Sequence, residues 1–475
     1  MISSFLMTSA SDSSRELHQF DLTDVSRMVQ QKVVSPIELT QACLDRIDRL
    51  NPEVNAFITV TAESALDEAR TAEIEISRGE WRGPLHGIPL AVKDLVDIAG
   101  VRTTAASAVL NNNVPGRDAE VVRRLKAAGA VMLGKLNLHE FAYGGSGTIG
   151  HYGPARNPWN TAHITGGSSS GSAAAVAAQL CYGTIGTDTA GSIRLPAACC
   201  GIVGLKPSYG LVSTRGVIPL SWTLDHVGPM ARTAADAALM LQVIASYDAS
   251  DICSQKFPPV HYPSALEEPT AALRLGVPQD FWSTIDAEIE QAAKQALATL
   301  AEITAGTQEI ALSAENDYTV VRCEPYVYHQ RYLPAHADEY DPETLRRIRT
   351  GTDITAIQYV EKYRDLLRMR RDVLQLFNQV DLIITPTCPL LPPSFAELEA
   401  EPQDLRPKEL LMLRNTRPFN VFGLPAISLC CGFSASGLPI GLQITGAPGA
   451  EGMVLALAHA YQRETDWHKR NPLNG

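Results

Sequence analysis

GGSSSGSAAAVAAQLCYGTIGTDTAGSIRLP, residues Gly166–Pro196, is the stretch from which the rest of the chain is read. It opens on a serine run between glycines and closes on Gly191-Ser192-Ile193-Arg194. Glycine beside serine lets the backbone take conformations other residues resist and lets another group approach closely. Ser172–Leu180 between the two turns is almost wholly Ala, Ser and Val. Alanine favours helix, and small side chains suit a helix packed on every side. The composition therefore predicts a buried helix that fixes the two serine turns relative to each other.

Three other readings of the stretch are weaker. A Gly/Ser run alone reads as a flexible linker, but linkers do not continue into apolar sequence ending in Asp188-Thr189-Ala190-Gly191-Ser192-Ile193-Arg194-Leu195-Pro196. A phosphate-cradling loop needs Gly-Lys-Ser/Thr at its end, and none follows. Gly167-Ser168-Ser169-Ser170-Gly171 fits G-x-S-x-G formally, yet that elbow must follow a buried strand, and Asn160–Thr165 is polar.

The stretch resembles the amidase signature family, whose pattern is a Gly-Gly-Ser-Ser run followed by Asp-x-Gly/Ala-Gly-Ser-Ile-Arg-x-Pro. The resemblance runs from about Ser35 to Pro472. The family's third catalytic group is a lysine after His-Gly-Ile-Pro, matched here by His86-Gly87-Ile88-Pro89-Leu90-Ala91-Val92-Lys93-Asp94. The resemblance implies Ser192 as nucleophile, Ser168 as a bridging serine after a cis peptide, and Lys93 as general base. Ser170 and Ala190 stand where many members carry glycine. Without the serines, Lys93 reads as a lysine salt-bridged to Asp94 or Asp97, since a buried ammonium is costly unless paired.

A 45% hydrophobic, 19% charged chain of 475 residues has ample material for a globular core. A formal net charge of −12 argues against nonspecific nucleic-acid binding, which needs a basic surface. The nine cysteines show no metal-binding spacing, and their odd number points to reduced thiols. No apolar run reaches membrane-spanning length, and Met1–Ala10 lacks a basic signal-peptide region, so a cytoplasmic location is expected. We read one domain over 1–475, with 1–20 as a flexible extension. No metal or cofactor is expected.

Along the chain, Ser35-Pro36-Ile37-Glu38 predicts a capping box opening a helix with Leu39, Cys43, Ile47 and Leu50 on its core face. Helices are expected over Ala62–Ser77 (superficial), Asp118–Ala128, Ala234–Ala245 and Gly452–Gln462. Strands are expected within Leu85–Val96, Ala130–Leu133, Gly201–Leu205, Val380–Ile384 and Pro439–Thr445. Pro258–Pro269 reads as a connection, and the basic residues of Glu343–Arg349 and Lys362–Arg371 as solvated. This alternation implies a layered α/β fold with a large mixed sheet, and the family resemblance implies that the sheet is twisted and covered by helices on both faces. None of the eleven histidines has a catalytic context: His139-Glu140 lacks the second histidine of H-E-x-x-H, His163 reads as structural, and His329 falls in the expected substrate wall.

The mechanism this implies needs a neutral amine, although an unperturbed lysine has a pKa of about 10.4. Burial disfavours the ammonium and makes lysine a base. Backbone N–H groups of Thr189, Ala190, Gly191 and Ser192 are expected to hold the oxyanion, with Asp188 and Arg194 shaping the turn and Ser169 the first one. The resemblance sets Gly144 and Gly145 beside the acyl pocket. The leading expectation is a stand-alone amidase acting on a small carboxamide or anilide, without nucleic acid or membrane, a homodimer being the assembly allowed. The alternative is the glutaminase-type subunit of a tRNA-dependent amidotransferase, although Ile357–Arg371 resembles free-standing amidases more. A non-catalytic binding homologue is disfavoured because all three catalytic positions hold competent residues. Substrate walls are expected in Ser313–Thr350 and Phe395–Phe419.

Overall fold

Runs of β-branched and small residues build inner strands that are buried almost throughout, and eleven strands join in one mixed sheet whose two edge strands are largely uncovered. The computed structural model describes residues 16–312 and 317–472. The strands are β1 (Phe57–Val60), β2 (Pro89–Lys93), β3 (Val131–Leu136), β4 (Gly183–Asp188), β5 (Val203–Lys206), β6 (His226–Ala231), β7 (Leu275–Pro278), β8 (Thr307–Ile310), β9 (Leu382–Pro386), β10 (Ala426–Phe433) and β11 (Pro439–Gly446). Their spatial order is β1-β3-β2-β4-β6-β5-β10-β11-β9-β7-β8. Every residue of β2, β3, β4, β6, β9 and β11 is buried, so helices cover both faces of the sheet.

Register places the chemistry. β2 runs parallel to β3 and β4, with Val92 opposite Ile185, so Lys93 ends one strand where Thr187 and Asp188 end its neighbour. β6 runs antiparallel to β4 with Asp188 opposite His226, which brings Asp225 to the same edge. Carboxyl ends of parallel strands open onto a crevice, the usual place for a ligand in α/β sheets.

The expected capping box is present: Ser35 Oγ accepts from the Ile37 and Glu38 N–H groups, and Glu38 Oε2 accepts from Ser35 N–H at 2.8 Å. Its helix runs Pro36–Val54. The alanine-rich helix spans Ser170–Ala177 instead of Ser172–Leu180, because Gln179 takes a left-handed φ of 58° and turns the chain into β4. All eight of its residues are buried. The helix expected over Asp118–Ala128 covers Glu120–Ala127, and the strand after it continues to Leu136. Ala62–Ser77 forms as read, though Ala65, Ala69, Ala72 and Ile76 are buried along one side. Pro258–Pro269 contains one helical turn, Tyr262–Ala265.

Two arginines read as solvated are not. Arg347 is 3% exposed, pairing with Glu343 and Glu409 and donating to Tyr143 O. Arg370 lies over the Tyr209 ring at 4.3 Å and donates to Val421 O and Thr223 O. Of the expected N-terminal extension, residues 1–15 lie outside the described residues. Residues 16–20 include a turn held by Tyr182 Oη donating to Leu17 O and Arg232 donating to His18 O. No helix among the described residues is long and apolar enough to cross a membrane.

Candidate active site

Lys93 ends β2 with no exposed surface, and its amine meets hydroxyls instead of a carboxylate. Nζ lies 2.7 Å from Ser168 Oγ, 2.9 Å from Ser169 Oγ and 2.8 Å from Thr187 Oγ1. The salt bridge considered from the sequence goes elsewhere: Asp94 pairs with Lys135 at 3.0 Å and accepts from Thr104 N–H. Burial lowers the Lys93 pKa to about 7, against the opposing fields of Asp188 and Asp225. A neutral amine donates twice and accepts once. Ser169 Oγ gives its proton to Thr187 O at 3.1 Å, so it receives a Lys93 N–H. With its second N–H given to Thr187 Oγ1, the amine in its neutral form keeps the nitrogen lone pair for the Ser168 hydroxyl.

Ser168 follows Gly167 across a cis peptide. A side chain at Gly167 would sit 2.7 Å from Gly147 N, so the serine turn can lie against the glycine-rich loop only with glycine there. Gly167 N–H also donates to Gly145 O at 2.7 Å, and His139 N–H to Ser168 O at 3.1 Å. His139 itself is buried beside Gly144, and burial holds its pKa down to about 3 despite Glu409 nearby. The sequence offers it only as half of a metal motif; its backbone role has no signature.

The second turn is built on Asp188. Its carboxylate accepts from Gly191 N–H at 2.8 Å and Ile193 N–H at 3.1 Å, and pairs side-on with Arg194 at 2.9 and 3.0 Å. Burial alone would raise this carboxyl; Arg194, with Lys206 and Asn420, brings it well below the usual carboxylate range. Arg194, unexposed, also donates to Asn420, Gln443 and Thr416 O. Gly191 has φ 138° and lies so close to Thr416 that a Cβ would meet Oγ1 at 2.1 Å. With the Gly191 N–H occupied, the N–H groups of Thr189, Ala190 and Ser192 are those with no acceptor among the described residues.

The two turns touch where Ser169 N–H donates to Ser192 O at 3.2 Å. A hydrogen bond between the Ser168 and Ser192 hydroxyls is not among those of the described residues, and such catalytic contacts often tighten only once substrate binds. Ser192 opens onto a cavity of about 40 Å³ with Gly144, Thr189 and Ala190 on its wall. Gly145 is not part of that wall. Thr189 Oγ1 donates to Asp225 Oδ1 at 2.5 Å, while Asp225 Oδ2 accepts from Leu220 and Ser221 N–H. Burial raises the Asp225 pKa to about 7 against those hydrogen bonds.

Both expected walls contribute: Tyr318 and Val321 from one, Arg406, Leu410, Leu413 and Arg417 from the other. Ser313–Asn316 of the first wall lie outside the described residues. His329 is not on the cavity wall; it is buried against Phe141 and bonds Tyr340 Oη at 2.8 Å. His163 is structural, its Nδ1 at 2.8 Å from Pro392 O.

A buried lysine among serines thus stands at the carboxyl edge of a mixed sheet. The amidase family model matches residues 38–455, and the chain belongs to that family. A glutamyl-tRNA(Gln) amidotransferase subunit from Methylococcus capsulatus is 42% identical, over 96% of this chain and 99% of that protein. Among solved structures, a 6-aminohexanoate cyclic dimer hydrolase is 30% identical with TM-score 0.88, covering 97% of this chain and 99% of its own. The corresponding glutamyl-tRNA(Gln) amidotransferase subunit from Thermotoga maritima is 31% identical with TM-score 0.78, covering 96% and 98%.

Proposed function

We propose that the chain hydrolyses the C–N bond of a carboxamide through a seryl acyl-enzyme, with Lys93, Ser168 and Ser192 as the reacting side chains. The observation that carries this reading is the unexposed Lys93 amine 2.7 Å from Ser168 Oγ, with no carboxylate in contact. Ser192 Oγ attacks the carbonyl carbon while its proton passes to Ser168, whose own proton passes to Lys93. The N–H groups of Thr189, Ala190 and Ser192 receive the oxyanion, each such donor being worth roughly 2.7–4 kcal/mol. The proton returns along the relay to the leaving nitrogen as the C–N bond breaks, and ammonia or an amine departs. Water then cleaves the ester by the reverse relay, releasing the acid and restoring Ser192.

Two substrate readings follow. The sequence relatives support the amidotransferase reading better than the stand-alone one. By that reading the chain frees ammonia from glutamine and works with partner proteins. One structural observation favours a small carboxamide or anilide: Leu220, Val321, Leu410 and Leu413 line the cavity, and none of its described lining residues is an acid to meet a glutamine ammonium. Ammonia release from glutamine, with and without copurified partners, separates the two when run beside an anilide series. Partner-dependent glutamine turnover selects the first, and anilide turnover by the isolated chain the second. No nitrogen release from any amide, by a protein whose Ser192 also resists a fluorophosphonate, would overturn both.

A further inference from the structure

Tyr143-Gly144-Gly145-Ser146-Gly147 is the loop against which the first serine turn lies, and three of its five residues are glycine. Glycine loses more conformational freedom on folding than any other residue and brings no side chain to pack. Such a loop has to be held from outside. Among the described residues, the side chains that bond its backbone are Arg347 and Glu409, and the two are paired with each other. Glu409 Oε1 accepts from Ser146 N–H at 3.2 Å and from Ser146 Oγ at 2.7 Å. Glu409 Oε2 lies 2.8 Å from Arg347 Nη1, which also donates to Tyr143 O at 2.6 Å. One carboxylate therefore gathers both ends of the loop.

The held loop reaches the relay directly. Gly145 O accepts from Gly167 N–H at 2.7 Å, in the residue before Ser168. Ser168 O accepts from the N–H of His139, whose ring lies against Gly144. A shift of the loop would carry Ser168 Oγ with it, away from Lys93 Nζ at 2.7 Å. Glu409 is 1% exposed. Burial would raise its pKa, but Arg347, with Arg406 and the Ser146 hydroxyl, outweighs that and holds it below the usual glutamate value. The carboxylate stays ionised, and hydrogen bonds to a charged acceptor are stronger than neutral ones. Its helix, Leu405–Met412, also supplies Arg406 and Leu410 to the cavity wall, and Arg406 pairs with Glu409 at 3.2 Å. The same side chain thus ties the loop behind Ser168 to the wall in front of Ser192.

We infer that Glu409 is a positioning residue for the relay: by clamping the loop 143–147 it keeps the Ser168 hydroxyl in contact with the Lys93 amine. The inference rests on Ser168 passing the proton, as proposed above.

Fluorophosphonate acylation of the full chain, resolved into probe affinity and maximal rate, tests it. Glu409→Gln keeps the side-chain shape and removes the charge. It is expected to lower the maximal rate by about 10²-fold, as a ~1 Å misplacement of a reacting group does, with probe affinity kept within about twofold. Ser146→Ala leaves the carboxylate with its arginines and should lower the rate by about tenfold, so it answers the same question if Glu409→Gln fails to fold. In a Ser168→Ala background neither substitution should slow acylation further, because the group being positioned is gone. A Glu409→Gln protein that acylates at the wild-type rate, loses affinity instead of rate, or still slows the Ser168→Ala enzyme would overturn the inference. Ser168→Ala alone reports on the relay. An unchanged rate there removes the relay itself, whereas a slowed rate beside an unaffected Glu409→Gln removes only the role of Glu409.

Discussion

In the proposed reaction Lys93 is the residue on which the chemistry turns. Its folded pKa of about 7 lies below the unfolded value of about 10.4, so across that window the unfolded chain binds more protons and stability rises with pH. Lys93→Met removes the cost of burying the ammonium. Thermal unfolding is expected to show the variant gaining on the wild type as pH falls from 10 to 6; a pH-independent difference would contradict a depressed lysine. Lys93→Ala should slow fluorophosphonate acylation by about 10²–10⁴-fold, the usual worth of a general base. Asp225 acts through neighbours: it holds the Thr189 hydroxyl, and its charge favours the Lys93 ammonium. Glu324 on its other side, accepting from Ser221 Oγ at 2.5 Å, stays in place in Asp225→Asn. That variant should therefore move the acidic limb of acylation to lower pH and reduce the rate by about tenfold, the order of one charge-assisted hydrogen bond. A limb that moves the other way would remove Asp225 from this role.

Among the structural elements, the turn Asp188–Arg194 is held by a buried pair whose partners come from Thr416, Asn420 and Gln443, more than two hundred residues away. Arg194→Met leaves Asp188 buried without its cation, which typically costs about 3–5 kcal/mol. Denaturant unfolding should register that loss together with loss of labelling at Ser192; a variant as stable as wild type would contradict the turn's dependence on the pair. What sequence shows of such elements is the local part. The capping box at Ser35–Glu38 and the helix Ala62–Ser77 depend on neighbours within four residues and are readable. The shape-fixing role of Asp188 and Arg194 is readable because the signature places both at the turn. Arg347 and Arg370 are misread as solvated because Glu409, Tyr143, Thr223 and Val421 reach them only after folding. Thr187 beside Lys93 escapes notice for the same reason: strand register, not spacing, brings it there.

For the whole molecule, alternating strands and helices are enough to announce a layered α/β fold, but not the strand order. β5 and β10 are neighbours although separated by more than two hundred residues, and no local pattern records that pairing. The assembled sheet nevertheless has one chemical consequence: two strand ends and one buried turn meet where a lysine can stay neutral. The most direct test is the pH dependence of fluorophosphonate acylation on the intact protein, with the modified residue located by mass spectrometry. A neutral Lys93 acting through Ser168 predicts a label on Ser192 whose rate of formation rises through about pH 7 in the wild type. That rise should be absent in Lys93→Ala. A label on another residue, or a Ser192 rate with the same pH profile once Lys93 is gone, would contradict it.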